Sequence, residues 1–346
     1  MKRILSLLTI LALLLSSVLA IIPTSAATGT AINTAEEFLA MDPAGSYHLA
    51  ADIELTAPFD ADFTGTLDGN GKTITVAASA LSAFKKINNG QVYDLTVKAD
   101  YSVSEPNTFG VLARKAIGIF SNVTADANVV ILPDANSFKG GAGLLIGEIV
   151  GNATLENCVS KGSIDVQTKT HPKNDDSALL YGVGGMVGRI TTGAVSFVGC
   201  ENYAFVNTLQ AGMPAGGLVG ETAGSSSIQL SFENCVNYGE VITFGVPSGE
   251  GNAHTGAGGI LGEALGVHSP DSTFTFKNCA NHGYIHSNEE CGRVAGIGGI
   301  VGRGYSPAVL TIDGCINTAD LDVERCGRYR RNSYDLRICL ERHARR

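Results

Sequence analysis

Short apolar segments framed by glycine recur along the second half of the chain and predict its architecture. Four of them share the pattern Gly-Gly-x-apolar-Gly and occupy Gly184–Gly188, Gly216–Gly220, Gly258–Gly262 and Gly298–Gly302. A weaker copy, Ala142–Gly147, precedes them. The final glycines of the five copies lie 41, 32, 42 and 40 residues apart. This spacing with variable filler is typical of repeat proteins, in which each unit buries its apolar face only against its neighbours.

The part of each repeat that follows the glycine block carries one cysteine at a constant place. An apolar residue lies three positions before it, and an asparagine (Ser160 in the first copy) lies two positions after it. Apolar and polar residues alternate on both sides, as in β-strands. We therefore predict three short strands per repeat, stacked as an all-β, right-handed parallel β-helix. The repeat residues with a structural role are Gly185, Gly188, Gly217, Gly220, Gly259, Gly262, Gly299, Gly302, Cys158, Cys200, Cys235, Cys279 and Cys315.

Two further features of the repeat predict local geometry. The alternation breaks just before each cysteine, at a residue type that tolerates positive φ, so we expect a bend there; these residues are Asn157, Gly199, Asn234, Asn278 and Gly314. The glycine pair predicts a corner with positive φ or a close approach of the next coil. Stacked cysteines have parallel Cβ vectors that suit a disulfide poorly, so we expect a buried row of free thiols.

The N-terminal region differs from the repeats. Residues 1–26 combine Lys2 and Arg3 with a long apolar run and small residues, which is typical of a secretory signal peptide; an uncleaved membrane anchor is the alternative. Residues 27–140 are predicted to form a cap and irregular β-helix coils. Thr34–Glu37 fits a capping box and predicts a short helix at about residues 34–41. Strands are predicted at Tyr47–Leu55, Phe63–Leu67, Thr73–Val76 and Val92–Val97, and residues 99–140 are expected to lack a clean repeat.

Charge limits the partners of this chain. The net charge is −9, although eight of its arginines lie in residues 325–346, so the rest is more acidic still. An acidic body disfavours nucleic acid and anionic lipid. Residues 141–323 form the five predicted repeats, and residues 324–346 are a basic, atypical tail. That tail is interpreted as the product of a reading frame that shifted near Cys326; the alternatives are a capping helix and a segment that binds an anionic cell-wall polymer or membrane surface.

The chain resembles a known group of proteins. The segments Asn33–Phe38, Ala51–Ile53 and Phe63–Gly71 look like the start of many exported bacterial β-helix proteins, and the glycine blocks resemble the GLUG motif of bacterial surface proteins, including adhesin-like proteins. The resemblance covers roughly residues 33–323. It implies a β-helix fold and export, and it carries no catalytic residues. The chain contains no Leu-Pro-x-Thr-Gly motif for attachment to a cell wall.

The sequence offers little that indicates chemistry. We find no nucleophile elbow, no phosphate loop and no histidine pair at zinc spacing, and we predict no catalytic residue, metal or cofactor. The segments between the third strand and the next glycine block vary in length and share one corner of the coil, so they predict a binding edge. Its candidate residues are His171, Asp175, Asp176, Glu250, His254, Glu289, Glu290 and Arg293.

These observations predict a secreted or cell-surface, monomeric and non-enzymatic protein. It would bind an extracellular glycan or a host or cell-surface protein through the loop edge, with no transmembrane segment beyond the signal peptide. The alternative is a polysaccharide lyase or hydrolase of the pectate-lyase-like β-helix class. A cluster of acids within about 6 Å of one another on one face would favour that alternative, because proximity raises carboxyl pKa values and permits acid–base catalysis.

Overall fold

The computed structural model describes residues 29–104, 108–132, 140–167, 182–208, 213–222, 227–244, 256–265, 271–289, 296–305 and 309–325. These residues contain one short helix and are otherwise rich in β-strand. Twenty-five strands form one long sheet and five form a second, and the strand pairs are parallel. The long sheet curls on itself, an arrangement consistent with the solenoid that the sequence predicts.

A short helix covers the N-terminal end of the long sheet. It spans Ala35–Leu39, and the Thr34 side chain accepts a hydrogen bond from the Glu37 backbone N–H at 3.2 Å, which confirms the predicted N-cap. The Glu37 carboxylate in turn accepts a hydrogen bond from the Asn33 backbone N–H at 2.6 Å. Phe38 turns its ring into the core and is fully buried. No helix among the described residues is long and apolar enough to cross a membrane, and the predicted signal peptide lies outside them.

The strands after this helix follow the predictions only in part. One strand, Thr30–Ile32, precedes the helix, and the strands that follow it are Ser46–Leu49, Ile53–Leu55, Phe59–Phe63, Thr66–Asp68 and Thr73–Val76. The last was predicted correctly, but the single strands predicted at Tyr47–Leu55 and Phe63–Leu67 are wrong, because each contains a break. At Gly65 the backbone passes so close to Gly45 that a Cβ atom would clash, so the chain turns there.

Residues 99–140 were expected to form coils without a clean repeat, and most of the described part of this range belongs to one of two long strands. Ala113–Ile131 is one long strand that pairs with Phe84–Val103, the strand that contains the predicted Val92–Val97. Their register shifts once, between Asn88 and Gly90. Buried residues alternate with more exposed ones over Leu95–Ala99 and Val123–Ile131. Elsewhere the buried residues are often three or four positions apart, and the alternation breaks at the positive-φ residues Asn89, Asp94 and Asn122. The pairing of these two strands was not predicted, because they contain neither a glycine block nor a cysteine.

Each glycine block forms a corner between the two sheets rather than a single strand. The five strands of the second sheet are Ala142–Gly143, Val183–Gly184, Ala215–Gly216, Gly256–Gly258 and Gly296–Gly298. The chain then turns into the long sheet through Ile146–Glu156, Val187–Val198, Val219–Thr222, Leu261–Leu265 and Val301–Tyr305. The prediction of three strands per repeat was therefore too simple.

The remaining strands of the repeats complete the long sheet. Those before the cysteine, where separate, are Ile228–Glu233, Thr273–Lys277 and Val309–Asp313. Those after it are Val159–Val166, Glu201–Asn202, Phe205–Thr208, Val236–Asn237, Val241–Phe244, Ala280–Asn281, Ile285–Glu289, Ile316–Asn317 and Leu321–Arg325. Equivalent residues pair from coil to coil, so their side chains form rows along the molecule. The rings of Phe197, Phe232 and Phe276 form one such row, with centroids 4.7 and 4.9 Å apart.

The second glycine of each block faces a row of buried asparagines. The Nδ2 atom of Asn202 donates to Oδ1 of Asn237 at 2.8 Å, Asn237 donates to Asn281 at 2.7 Å, and Asn281 donates to Asn317 at 2.7 Å. A Cβ atom on Gly217 would lie closer than 3.0 Å to the Asn237 amide and to the carbonyl oxygen of Gly259 on the next coil. Of the two predicted reasons for glycine, close approach is therefore the one that applies, and Gly217 has no positive φ.

The bends predicted before the cysteines are confirmed. Asn157, Asn234 and Asn278 have φ of 50°, 55° and 53°, and Gly199 and Gly314 have φ of 61° and 62°. Each residue lies at the end of the strand that precedes its cysteine. The bend redirects the chain, so that the side chain of the cysteine points into the core.

The five repeat cysteines form the predicted row of free thiols. Cys158, Cys200, Cys235 and Cys279 are fully buried, whereas Cys315 on the last described coil is only half-buried. A hydrogen bond that the Cys235 thiol donates to the neighbouring Cys200, together with burial, holds the pKa of Cys235 well above its ordinary value. The three other cysteines lie outside the described residues.

This row predicts site-specific protection of thiols. A maleimide should label Cys235 in the native protein far more slowly than Cys315, because Cys235 is fully buried and Cys315 is only half-buried. After denaturation both should react fully. Peptide mass spectrometry measures each site, and equal native labelling of the two would contradict the buried row.

Cys235→Arg should prevent folding, since it places an unpaired charge in the core.

The last described coil, residues 309–325, is bound on one side only. Its strands pair with those of the preceding coil, and no other described strand pairs with them. Val309 and Ile316 are 57% and 53% exposed, and Ile312 is partly exposed although its equivalent Phe276 is fully buried. The two ends of the described solenoid therefore differ, since a helix covers the first.

Candidate functional site

The predicted binding edge is the place where segments of variable length leave the coils. The candidates His171, Asp175, Asp176, Glu250, His254, Glu290 and Arg293 lie outside the described residues. Glu289 was predicted in a loop, but its backbone forms the last residue of the strand Ile285–Glu289, where it pairs with Arg325. That part of the prediction is wrong, because the third strand of this coil is longer than its sequence pattern indicated.

The points at which these segments leave and rejoin the coils are stacked. On the leaving side, Thr208 pairs with Thr243 and Phe244 pairs with Asn288. On the rejoining side, the glycines that end the strands of the second sheet pair in series: Gly184 with Gly216, Gly216 with Gly258, and Gly258 with Gly298. The variable segments 168–181, 209–212, 245–255 and 290–295 are thus attached along one edge, as the sequence predicts. We call this edge the loop edge.

A row of charged side chains runs beneath the rejoining side of the loop edge. We call it the charge row; its members directly follow the last glycine of each block, and they are Glu148, Arg189, Glu221, Glu263 and Arg303. Each pairs in register with the next, and Lys115 extends the row on the preceding coil. Lys115 contacts Glu148 at 3.1 Å, Arg189 contacts Glu221 at 3.0 Å, and Arg303 contacts Glu263 at 3.2 Å.

The second sheet covers the charge row and separates it from solvent. The Gly141 backbone N–H lies 3.4 Å from the Glu148 carboxylate, and a Cβ atom on Gly182 would lie 2.8 Å from Cγ of Glu221. Glycine at these positions lets the covering strand approach the charges closely. The side chains of Glu221 and Glu263 are consequently only 6% and 1% exposed.

Glu221 and Glu263 are adjacent in the charge row, so their carboxyl groups repel each other when both are ionised. Burial raises the pKa of Glu221 to about 7, against the opposing effects of Arg189 and of the Gly182 backbone N–H. Burial also raises the pKa of Glu263 to about 8; the Arg303 guanidinium opposes this and the Glu221 charge adds to it. No basic residue of the row lies between the two carboxyl groups.

Raised carboxyl pKa values are typical of catalytic acids, but this pair lies in the wrong place for such a role. A glycosidase needs two carboxyl groups that flank an accessible sugar, whereas Glu221 and Glu263 lie beneath the second sheet. The described residues also contain no group of three potential metal ligands. The charge row therefore acts on the stability of the corner and of the strands that bear the loop edge.

A second feature, on a different corner of the coils, is an exposed row of aromatic rings. We call Tyr203, Tyr238 and His282 the aromatic row; they follow the asparagines of three successive coils. Their ring centroids are 4.8 and 5.2 Å apart, and the rings stack with interplanar angles of 13° and 24°. Tyr203 and Tyr238 are 47% and 44% exposed, and His282 is also exposed.

Polar groups surround the aromatic row. The Tyr203 hydroxyl donates to the Glu201 carboxylate at 2.8 Å, an interaction that raises the pKa of Tyr203, and Nδ1 of His282 lies 2.7 Å from the Thr318 hydroxyl. This row was not predicted, because its members are two tyrosines and a histidine and therefore do not repeat one residue type. The signal was the position three residues after each cysteine, where two tyrosines and a histidine occur in succession.

Comparison with known proteins adds little. No family model matches the chain, and no curated protein matches it. A crystal structure from Bacteroides ovatus, described as a "putative immunoglobulin A1 protease", is 16% identical and has a TM-score of 0.47, with 88% of this chain and 81% of that chain covered. At that identity and TM-score, the similarity supports no statement about activity.

Proposed function

We propose that this chain is an exported bacterial protein of the GLUG-containing, adhesin-like kind. It is a right-handed parallel β-helix with repeats of about 40 residues, preceded by a signal peptide at residues 1–26. It is displayed at the cell surface or secreted, and it binds an extracellular glycan or a cell-surface protein through the loop edge. The parallel long sheet, the stacked corners and the buried side-chain rows support the β-helix part of this proposal.

The observation that carries the binding role is the stacking of the attachment points at the loop edge. Segments of different length begin and end at paired positions on successive coils, such as Thr208 with Thr243 and Gly216 with Gly258. The strands on both sides of these segments keep their register while the length of the segments varies. In repeat proteins such an edge is commonly the binding face, because insertions there leave the core unchanged.

A binding array with loop variants tests this role. The exported chain is applied to an array of glycans and extracellular-matrix proteins, and the ligands that bind are tested again with three alanine variants. One replaces His171, Asp175 and Asp176, one replaces Glu250 and His254, and one replaces Glu289, Glu290 and Arg293. We expect at least one variant to lose binding. The melting temperature of each variant is measured as well, so that lost binding counts only where thermal stability is unchanged.

The matched control replaces Glu233 and Lys277, an exposed pair 2.9 Å apart on another row of the coils. This variant should bind as the unmodified chain does. Binding that survives all three loop variants would contradict the assignment to the loop edge. Cleavage of a polysaccharide by the unmodified chain would contradict the non-enzymatic role.

A further inference from the structure

The aromatic row exposes three rings although the core does not need them. The inward positions beside it are filled by Asn202, Asn237 and Asn281, which are fully buried and hydrogen-bonded to one another. Stacking of neighbouring rings contributes to stability, typically by about 0.5–1.5 kcal/mol for each pair. Smaller polar residues would serve an outward position equally well, as Thr318 does on the next coil. The row therefore presents aromatic surface to a ligand as well as supporting the stack.

Further polar and aromatic groups lie at the third strands of the last two coils. Two residues further along the same coil as His282 lies Tyr284, whose hydroxyl donates to the Asp322 carboxylate at 3.1 Å and lies 3.3 Å from Nδ1 of His286. The Tyr284 and His286 rings stack with centroids 5.9 Å apart. Hydroxyl, imidazole and carboxylate groups thus lie beside aromatic rings, which is the combination of groups that orients a ligand in a mostly apolar site.

The charge of this face selects among ligands. Nearby acidic residues are Glu201 and Asp322, which lie in strands, and Glu240 and Asp320, each of which immediately precedes a strand. Lys161 occupies the position on the first coil that is equivalent to Tyr203. Such a face repels a polyanion, since like charges brought together cost free energy. An uncharged ligand with many hydroxyl groups suits this face, because carboxylates and imidazoles accept hydrogen bonds from hydroxyl groups.

The stacking also determines how a ligand would lie. Each ring of the aromatic row covers a face of its neighbour, so the exposed parts are ring edges and polar atoms repeated at 4.8 and 5.2 Å. A single sugar would meet only one or two of them. A polymer that runs along the row would meet all three, and the repeat is close to the advance per sugar of an extended β-1,4-linked chain.

We propose that the aromatic row, with the polar groups around it, binds a neutral polysaccharide that lies along the solenoid. The site is at the corner that follows the cysteines, whereas the loop edge lies beyond the end of the third strand. The proposal therefore goes beyond the function assigned to the loop edge, and either of the two can fail without the other.

Calorimetry with defined oligosaccharides tests the proposal. The probes are β-1,4-linked hexasaccharides of glucose, xylose and mannose, with a galacturonic acid hexasaccharide as the anionic counterpart. We expect the full chain to bind at least one neutral hexasaccharide and not the anionic one. Y203S/Y238S should weaken binding by at least about tenfold. Tyr238→Phe, which keeps the stack and removes one hydroxyl, should weaken it less.

The controls separate a binding role from a purely structural one. The loop variant that lacks Glu289, Glu290 and Arg293 should bind the hexasaccharide as the unmodified chain does. If Y203S/Y238S loses stability, Tyr238→Phe at unchanged melting temperature carries the test. The proposal is overturned if no neutral hexasaccharide binds, if the anionic one binds more tightly, or if the row variants lose stability but not affinity. Capture of a protein rather than a glycan by this face would also overturn it.

Discussion

Gly217→Ala is expected to lower the free energy of unfolding by about 3 kcal/mol, the upper part of the range for overpacked sites. The added Cβ would lie closer than 3.0 Å to the Gly259 carbonyl oxygen and to the Asn237 amide, and neither can move without disturbing the next coil. The matched control is Gly304→Ala. Gly304 also lies in a strand after a glycine block, but its Cβ position has no heavy atom within 4 Å. Urea unfolding measures both variants, and equal midpoints would contradict the close approach.

The first repeat indicates how such a clash can be relieved. Where the other copies have the second glycine, this repeat has Leu144, and where they have asparagine it has Ser160. Both residues are fully buried, so the larger side chain at the corner occurs with the smaller one in the row. We therefore expect Asn237→Ser to recover part of the stability lost in Gly217→Leu. A double-mutant cycle without positive coupling would show that the two positions do not compensate.

Raising the pH from about 5 to about 9 is expected to destabilise the corner above the charge row by several kcal/mol, because each unit of pKa difference corresponds to about 1.4 kcal/mol. The pKa values of Glu221 and Glu263 rise from 4.5 to about 7 and about 8 in the folded chain. Their contribution to stability is complete below the unfolded value of 4.5. It is lost as the pH rises through 7 and 8, where the folded chain must release both protons into a buried site.

The double variant E221Q/E263Q isolates this contribution. Glutamine is neutral at every pH and similar in shape to the protonated acid, so the variant should match the unmodified chain near the acidic end and exceed its stability near the alkaline end. Stability is measured by urea unfolding of both proteins at each pH. The difference between the two reports Glu221 and Glu263, because the other carboxyl groups affect both proteins equally. Parallel pH curves for the two proteins would show that the pair ionises as exposed acids do.

The rows of identical residues could be predicted from the sequence, because identity at a fixed place is visible without a structure. Asn237 and Cys235 are examples, and the bend at Asn234 followed from a break in the alternation. The corner at Gly217 could also be predicted from the glycine pair, but the second sheet, whose strands precede that corner, could not. Strands of two or three residues carry too little alternation to separate them from the strands that follow.

The charge row and the aromatic row could not be found in the same way. Glu221 and Arg189 occupy equivalent positions with opposite charges, so a search for repeated identity passes over them. Their pairing depends on which coils are neighbours, and the raised pKa values depend on the second sheet that covers them. The residues named for the loop edge came from segment length alone, and Glu289 shows the limit of that reasoning, since the strand extends to include it.

Because the two ends of the described solenoid differ, local unfolding is expected to begin at one end and proceed towards the other. In a stacked repeat, opening begins where a coil has a neighbour on one side only, and amide exchange reports local opening with free energies well below that of global unfolding. The coil of residues 309–325 has one neighbour among the described strands, while the helix Ala35–Leu39 covers the other end. Amide protons should therefore exchange fastest in that coil and progressively more slowly towards Phe84–Val103. Within the aromatic row, the coil of His282 would accordingly open more often than the coil of Tyr203.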